Sequence, residues 1–141
     1  MKLTICLAAA LIAALFLGAV PAFAETDAPL DNENIILFWD NADSVILDIR
    51  FSGNTATCSA MIEGKSNMSS IKADFALKRA DANGLTTLKT WTGRSSSTGV
   101  LDFSETYSAA TKGETYVFEV TATVTAGGTT EKISDYVQKN Y

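Results

Sequence analysis

From Ser44 onward the chain alternates apolar and polar residues with a period of two, the signature of strands buried on one face. Val45, Leu47, Ile49 and Phe51 alternate with Ile46, Asp48 and Arg50, and Ser52-Gly53-Asn54 supplies a turn. Ala56, Cys58, Ala60 and Ile62 form a second apolar set. Ile71, Ala73, Phe75 and Leu77 form a third, opposite Lys72, Asp74 and Lys78, and residues 63–69 between the two sets are expected to be loop. Asp81-Ala82-Asn83-Gly84 is a strong turn signal, because Asn-Gly tolerates positive φ. Residues 85–91 predict a shorter, less regular strand, and residues 93–99 a Ser-rich loop. Leu101, Phe103 and Tyr107 mark another strand.

Tyr116, Phe118, Val120, Ala122 and Val124 give the clearest alternation, reinforced by the β-branched residues Thr115, Thr121, Thr123 and Thr125. Gly127-Gly128 turns the chain into a last strand around residues 129–137. About seven short strands at regular spacing, with no helical period among them, predict an all-β fold. The expected form is an antiparallel β-sandwich of immunoglobulin or fibronectin-III-like architecture. Tyr116, opening the longest strand after a loop, suits a tyrosine corner, and an ordinary core aromatic would also fit there. The paired cysteines and strand-C tryptophan of antibody domains are absent, so the immunoglobulin likeness is architectural.

The N-terminus follows a different pattern. Residues 1–24 carry one positive charge at Lys2, an apolar run over 3–17, helix breakers at Gly18 and Pro21, and Ala22-Phe23-Ala24. This predicts a secretory signal peptide cut before Glu25, in preference to a retained membrane anchor. Cys6 lacks the setting of a lipidation site, because Ile5 is not small and little apolar sequence precedes it. The expected product is secreted, extracellular or associated with the cell surface, with no membrane span after cleavage.

The formal charge of −5 becomes −6 once Lys2 is removed. Glu25, Asp27, Asp31, Glu33, Asp40 and Asp43 crowd residues 25–43 with no Lys or Arg among them, whereas acids and bases are equal in number from Ser44 on. The organisation is therefore an acidic, partly flexible leader over 25–43 and one near-neutral domain over 44–141. That distribution argues against nucleic acid or anionic lipid as partner. One cysteine, Cys58, remains after cleavage and cannot form an internal disulfide; its strand parity makes it a buried small hydrophobe.

The run Phe51-Ser52-Gly53-Asn54-Thr55-Ala56-Thr57-Cys58-Ser59-Ala60 is distinctive, as is Leu77-Lys78-Arg79 followed by Leu88-Lys89-Thr90-Trp91-Thr92-Gly93. Gly113-Glu114-Thr115-Tyr116 leading into Val120-Thr121-Ala122-Thr123-Val124 is a third such segment. Together they resemble a family of small, functionally uncharacterised exported β-sandwich proteins of Gram-positive, clostridia-like bacteria. The resemblance spans most of residues 45–141. It implies a compact sandwich and an extracellular life, and it carries over no catalytic or binding residue.

Candidate chemistry is sparse. The chain has no histidine, the usual base near neutral pH and the commonest metal ligand. Asp102 and Glu105 could act as a carboxylate pair, but their three-residue offset on a strand places them on opposite faces. Ser95-Ser96-Ser97 has no base to activate it. Asp31-Asn32-Glu33-Asn34 and Asp40-Asn41-Ala42-Asp43 offer oxygen ligands without the spacing of a calcium loop. The expectation is a non-catalytic binding or interaction module, monomeric, needing no cofactor or metal, with an unknown protein or glycan as partner. Trp91, Arg94 and Trp39 are the candidate ligand-binding residues. Two alternatives are a structural cell-surface or matrix component assembling by strand pairing and, further off, a carboxylate-dependent hydrolase.

Overall fold

The computed structural model describes residues 39–66 and 69–141. The expected signal peptide and most of the expected acidic leader lie outside the described residues. Seven strands follow in order: β1 (Ala42–Ser52), β2 (Thr55–Gly64), β3 (Ser70–Asp81), β4 (Gly84–Ser96), β5 (Val100–Tyr107), β6 (Thr115–Ala126) and β7 (Thr129–Asn140). They form two sheets, three strands in the order β1-β2-β5 and four in the order β4-β3-β6-β7, with every pairing antiparallel. The fold is all-β, an antiparallel β-sandwich.

The alternation read from the sequence becomes the inner faces of these sheets. Ile49, Ala56, Cys58, Ala60 and Ile62 are buried on one side, and Ile71, Ala73, Phe75, Leu77, Phe118, Val120, Ala122, Val124 and Ile133 on the other. Phe75 stacks on Phe103 of the facing sheet with ring centroids 4.0 Å apart, and Phe118 lies 5.9 Å from Phe103. Aromatic surface of this size supplies much of the burial that holds two sheets together. The Tyr116 hydroxyl accepts a hydrogen bond from the Thr111 N–H at 2.7 Å, a tyrosine-corner contact that fixes the loop leading into β6. Burial pushes the Cys58 thiol up to about 12, so it packs as an inert hydrophobe.

Connections are short. Gly127 and Gly128 both have positive φ, 57° and 85°, as a two-residue type I′ hairpin requires at both positions. Asn83 N–H donates to Asp81 Oδ1 at 2.9 Å, an Asx turn that closes the β3–β4 hairpin.

Three expectations need correction. The strand expected over 85–91 is β4, which runs on through Ser96, so most of the Ser-rich loop is strand and the turn shrinks to residues 97–99. Glycine and serine read as loop residues, but here they extend an edge strand by way of a bulge. Ala73 opposes Arg94 and Phe75 opposes Trp91, so two residues of β3 span three of β4. Gly93, at φ 70°, takes the left-handed conformation at that step, and its N–H donates to Asp74 Oδ1 at 2.7 Å. Second, loop was expected from residue 63, yet β2 continues to Gly64. Third, β1 starts at Ala42 rather than Ser44, and Asn41 is buried. Its side-chain amide donates to the Val124 and Thr129 carbonyls at 3.1 Å each, and its oxygen accepts from Thr129 Oγ1 at 3.1 Å. A polar residue beside two aspartates gives no sequence signal of burial, because partners over eighty positions away satisfy it.

Candidate functional site

Two sides of the sandwich are closed by edge strands of opposite sheets, β4 against β5 and β1 against β7. Trp91 and Arg94 belong to the first side. Trp91 sits in the body of β4 opposite Phe75, not at a strand end, and is only 7% exposed. Its ring meets Phe103 edge-on at 5.4 Å and 70°, and Phe118 at 6.4 Å and 84°. Trp91 is therefore spent on packing, with too little free surface to stack on a ligand.

Arg94 owes its place to the bulge. Three positions beyond Trp91 it would face outward on a regular strand, and the extra residue returns it to the inner parity of Ala73 and Phe75. There Arg94 Nη2 meets Glu105 Oε1 at 2.6 Å, and the guanidinium lies 5.7 Å from the Phe103 ring centroid. Glu105 shares the inward parity of Leu101 and Phe103, so the ion pair spans the two sheets where β4 meets β5. Both side chains remain more than a third exposed, which limits the pair to a few tenths of a kcal/mol up to about 1. Asp102 is exposed and projects from the opposite face of β5, so the two carboxylates stand apart as their spacing predicts.

Trp39 lies at the other closed side. It is half-buried against the core, and its carbonyl accepts from Lys65 Nζ at 2.5 Å. The next two residues are gripped by one carboxylate: Glu131 Oε1 accepts the Asp40 N–H at 2.9 Å and Oε2 the Asn41 N–H at 2.7 Å. The Asn41 bond, helped by the Asp40 and Ala42 amides and the Lys65 charge, holds the Glu131 carboxyl below the usual carboxylate range, against the opposing effect of burial. Trp39 thus pins the entry to β1. Asn41 of the second candidate calcium run is fully committed to β6 and β7. Among the described residues no group of three or more His, Cys, Asp or Glu side chains could hold a metal ion.

The surface that remains uncommitted is the outer face of the four-stranded sheet. Lys72 on β3, Thr123 on β6 and Lys132 on β7 are consecutive cross-strand neighbours, and Ser95 on β4 continues the row. Together with Asp74, Gly93 and Thr121 they line a shallow groove open to solvent. Asp74 accepts the Gly93 N–H and Glu119 is ion-paired with Lys78, so both carboxylates of this face are engaged. Lys72 and Lys132 meet no carboxylate among the described residues. Further along β7, Tyr136 projects from the same face and is 62% exposed. The opposite face, over β1, β2 and β5, combines the exposed Ile46 and half-buried Met61 with Asp48 and Asp102. Sequence reasoning missed the Lys72–Thr123–Lys132 row because its members are far apart in the chain and only register brings them together.

No family model and no curated protein matches the chain. Among solved structures it is similar to Spo0M, a sporulation control protein from Bacillus subtilis, at 16% identity and a TM-score of 0.39. That match covers 69% of this chain and 48% of the Spo0M chain, so the chain spans about half the length of that protein. A likeness at this level carries no argument about function.

Proposed function

We propose that the protein is a secreted, non-catalytic binding module that engages its partner through the outer face of the β4-β3-β6-β7 sheet. The observation that carries this reading is the contrast between committed and uncommitted side chains. Trp91, Arg94 and Glu105 are taken up in joining the sheets, and Trp39 in pinning β1. Lys72, Lys132 and Tyr136 are presented on one flat face with hydroxyls between them. The three hairpins, β1–β2, β3–β4 and β6–β7, are tight and leave little chain to shape a recognition surface.

The finer fold assignment belongs to the same proposal. A three-stranded sheet facing a four-stranded one, with a tyrosine-corner contact before β6, supports an immunoglobulin or fibronectin-III-like sandwich. The fourth strand lies beside the third instead of the fifth, unlike the constant-type arrangement. Secretion rests on the signal-peptide pattern of residues 1–24 and on the resemblance to exported clostridia-like proteins.

Strand-paired assembly is the second reading. Against it, the long edge strand β4 is interrupted by two register shifts, which blunt an edge for pairing with another chain. Probing glycan and protein arrays with the full chain separates the readings. A ligand on either array should be lost when Lys72, Lys132 and Tyr136 are replaced together by Ala. It should be retained when Ile46 and Met61 on the opposite face are replaced instead. The converse pattern contradicts the proposal.

A further inference from the structure

We infer that the ligand of this face is a linear acidic polysaccharide, recognised through its carboxylates by Lys72 and Lys132 and through one sugar ring by Tyr136. The inference rests on the outer-face reading above and adds the chemical class.

Register sets the geometry. Lys72 and Lys132 stand on either side of Thr123, two strand spacings apart, so their backbones are about 10 Å from one another. Lys132, Ser134 and Tyr136 alternate outward along β7, which puts Tyr136 roughly 13 Å from Lys132. Thr121, the cross-strand neighbour of Ser134, and Thr123 fill the space with hydroxyls. The face therefore offers one aromatic plane, two ammonium groups, the Asp74 carboxylate and a band of hydroxyls, over a length that several monosaccharides would cover.

The composition of the face selects among partners. A protein partner is normally anchored by buried apolar or aromatic side chains at the centre of its interface. The centre here is hydroxyls, lysines and the Asp74 carboxylate, and among the described residues the only large exposed apolar side chain near it, Tyr136, stands at one end. A polyhydroxylated chain satisfies such a surface by hydrogen bonds, and a tyrosine ring can lie against the C–H face of a sugar. Charge decides between neutral and acidic chains. Glu119 is neutralised by Lys78, whereas Asp74 keeps its charge while accepting from Gly93, so the two lysines, neither in an ion pair, leave the row with one net positive charge. A neutral glycan would leave the lysines unpaired, whereas carboxylates on alternate sugars would answer both.

Native affinity electrophoresis of the full chain tests this, with polygalacturonate, alginate or hyaluronan cast into the gel and dextran as the neutral control. The three acidic polymers cover different carboxylate spacings, and at least one should retard the protein while dextran does not. Lys72→Ala and Lys132→Ala should each weaken retardation by about tenfold. Tyr136→Ala should weaken it severalfold, and 0.5 M salt should suppress it by screening. Arg50→Ala, on the opposite face, should leave it unchanged. Retardation by dextran as strong as by the acidic polymers, with loss on Tyr136→Ala, would overturn the acidic class and keep the outer face. Retardation that ignores all three outer-face substitutions would overturn both. No retardation by any of the acidic polymers would overturn the inference.

Discussion

Replacing Trp91 by alanine separates a packing role from a binding role. The indole is 7% exposed and lies edge-on to Phe103 and Phe118, so the change strips one wall from the aromatic cluster that joins the sheets. A buried tryptophan covers about 150–250 Å². At about 25 cal/mol/Å² its removal costs roughly 4–6 kcal/mol. Trp91 is on an edge strand, where the Arg94 stem can settle and water can enter, so the vacancy is partly refilled. The lower end of the range for large-to-small aromatic changes, about 3 kcal/mol, is therefore expected. For a domain of this size that is a substantial part of the total stability. Urea unfolding followed by circular dichroism gives the value, with the slope unchanged if the denatured state is unaffected. A loss below about 1 kcal/mol would show that the indole is not packed as described, and would return Trp91 to the list of binding residues.

Three further outcomes follow from specific contacts. Gly64 has an ordinary backbone conformation, but a Cβ there would lie 2.5 Å from Ser69 Cβ and 2.7 Å from its Oγ. Gly64→Ala should thus cost about 1–3 kcal/mol, and most of the cost should vanish in a Ser69→Gly background; an equal cost in both backgrounds refutes the contact. Burial raises the Asp135 carboxyl pKa, with partial relief from the Tyr136 N–H, so the fold holds that proton more tightly than the unfolded chain. Its stabilising contribution is complete below the unfolded pKa and is lost as pH rises through the folded one. Asp135→Asn should therefore match wild type in acid and gain on it toward neutral pH, by about 0.5 kcal/mol after allowing for solvent screening; a gain independent of pH contradicts the assignment. Cys58 should react slowly with a thiol reagent in the native protein and fully in denaturant, and Cys58→Ser should cost about 1–3 kcal/mol; rapid native labelling would place the thiol outside the core.

The inner faces were legible because period-two alternation is a local signal. Cys58, Phe75, Val120 and their neighbours are buried as their parity predicts. The tyrosine corner was one of two readings the sequence left open for Tyr116, and the contact with the nearby Thr111 N–H selects it. What escaped depends on register or on distant partners. The bulge at Gly93 reverses the parity of Arg94, which turns a candidate recognition residue into part of a link between sheets. Asn41 is buried because carbonyls of β6 and β7 await it. Lys72 and Lys132 are unremarkable surface lysines until pairing on both sides of Thr123 makes them neighbours.

The most direct test of the central claim is an amide and side-chain chemical-shift map of the full chain during titration with a defined oligogalacturonate. The account predicts an alternating pattern on adjacent strands, with Lys72, Thr121, Thr123, Lys132, Ser134 and Tyr136 perturbed and the inward residues between them quiet. Perturbation centred on the Trp91 indole and Arg94, or on Ile46 and Met61 across the sandwich, would contradict it.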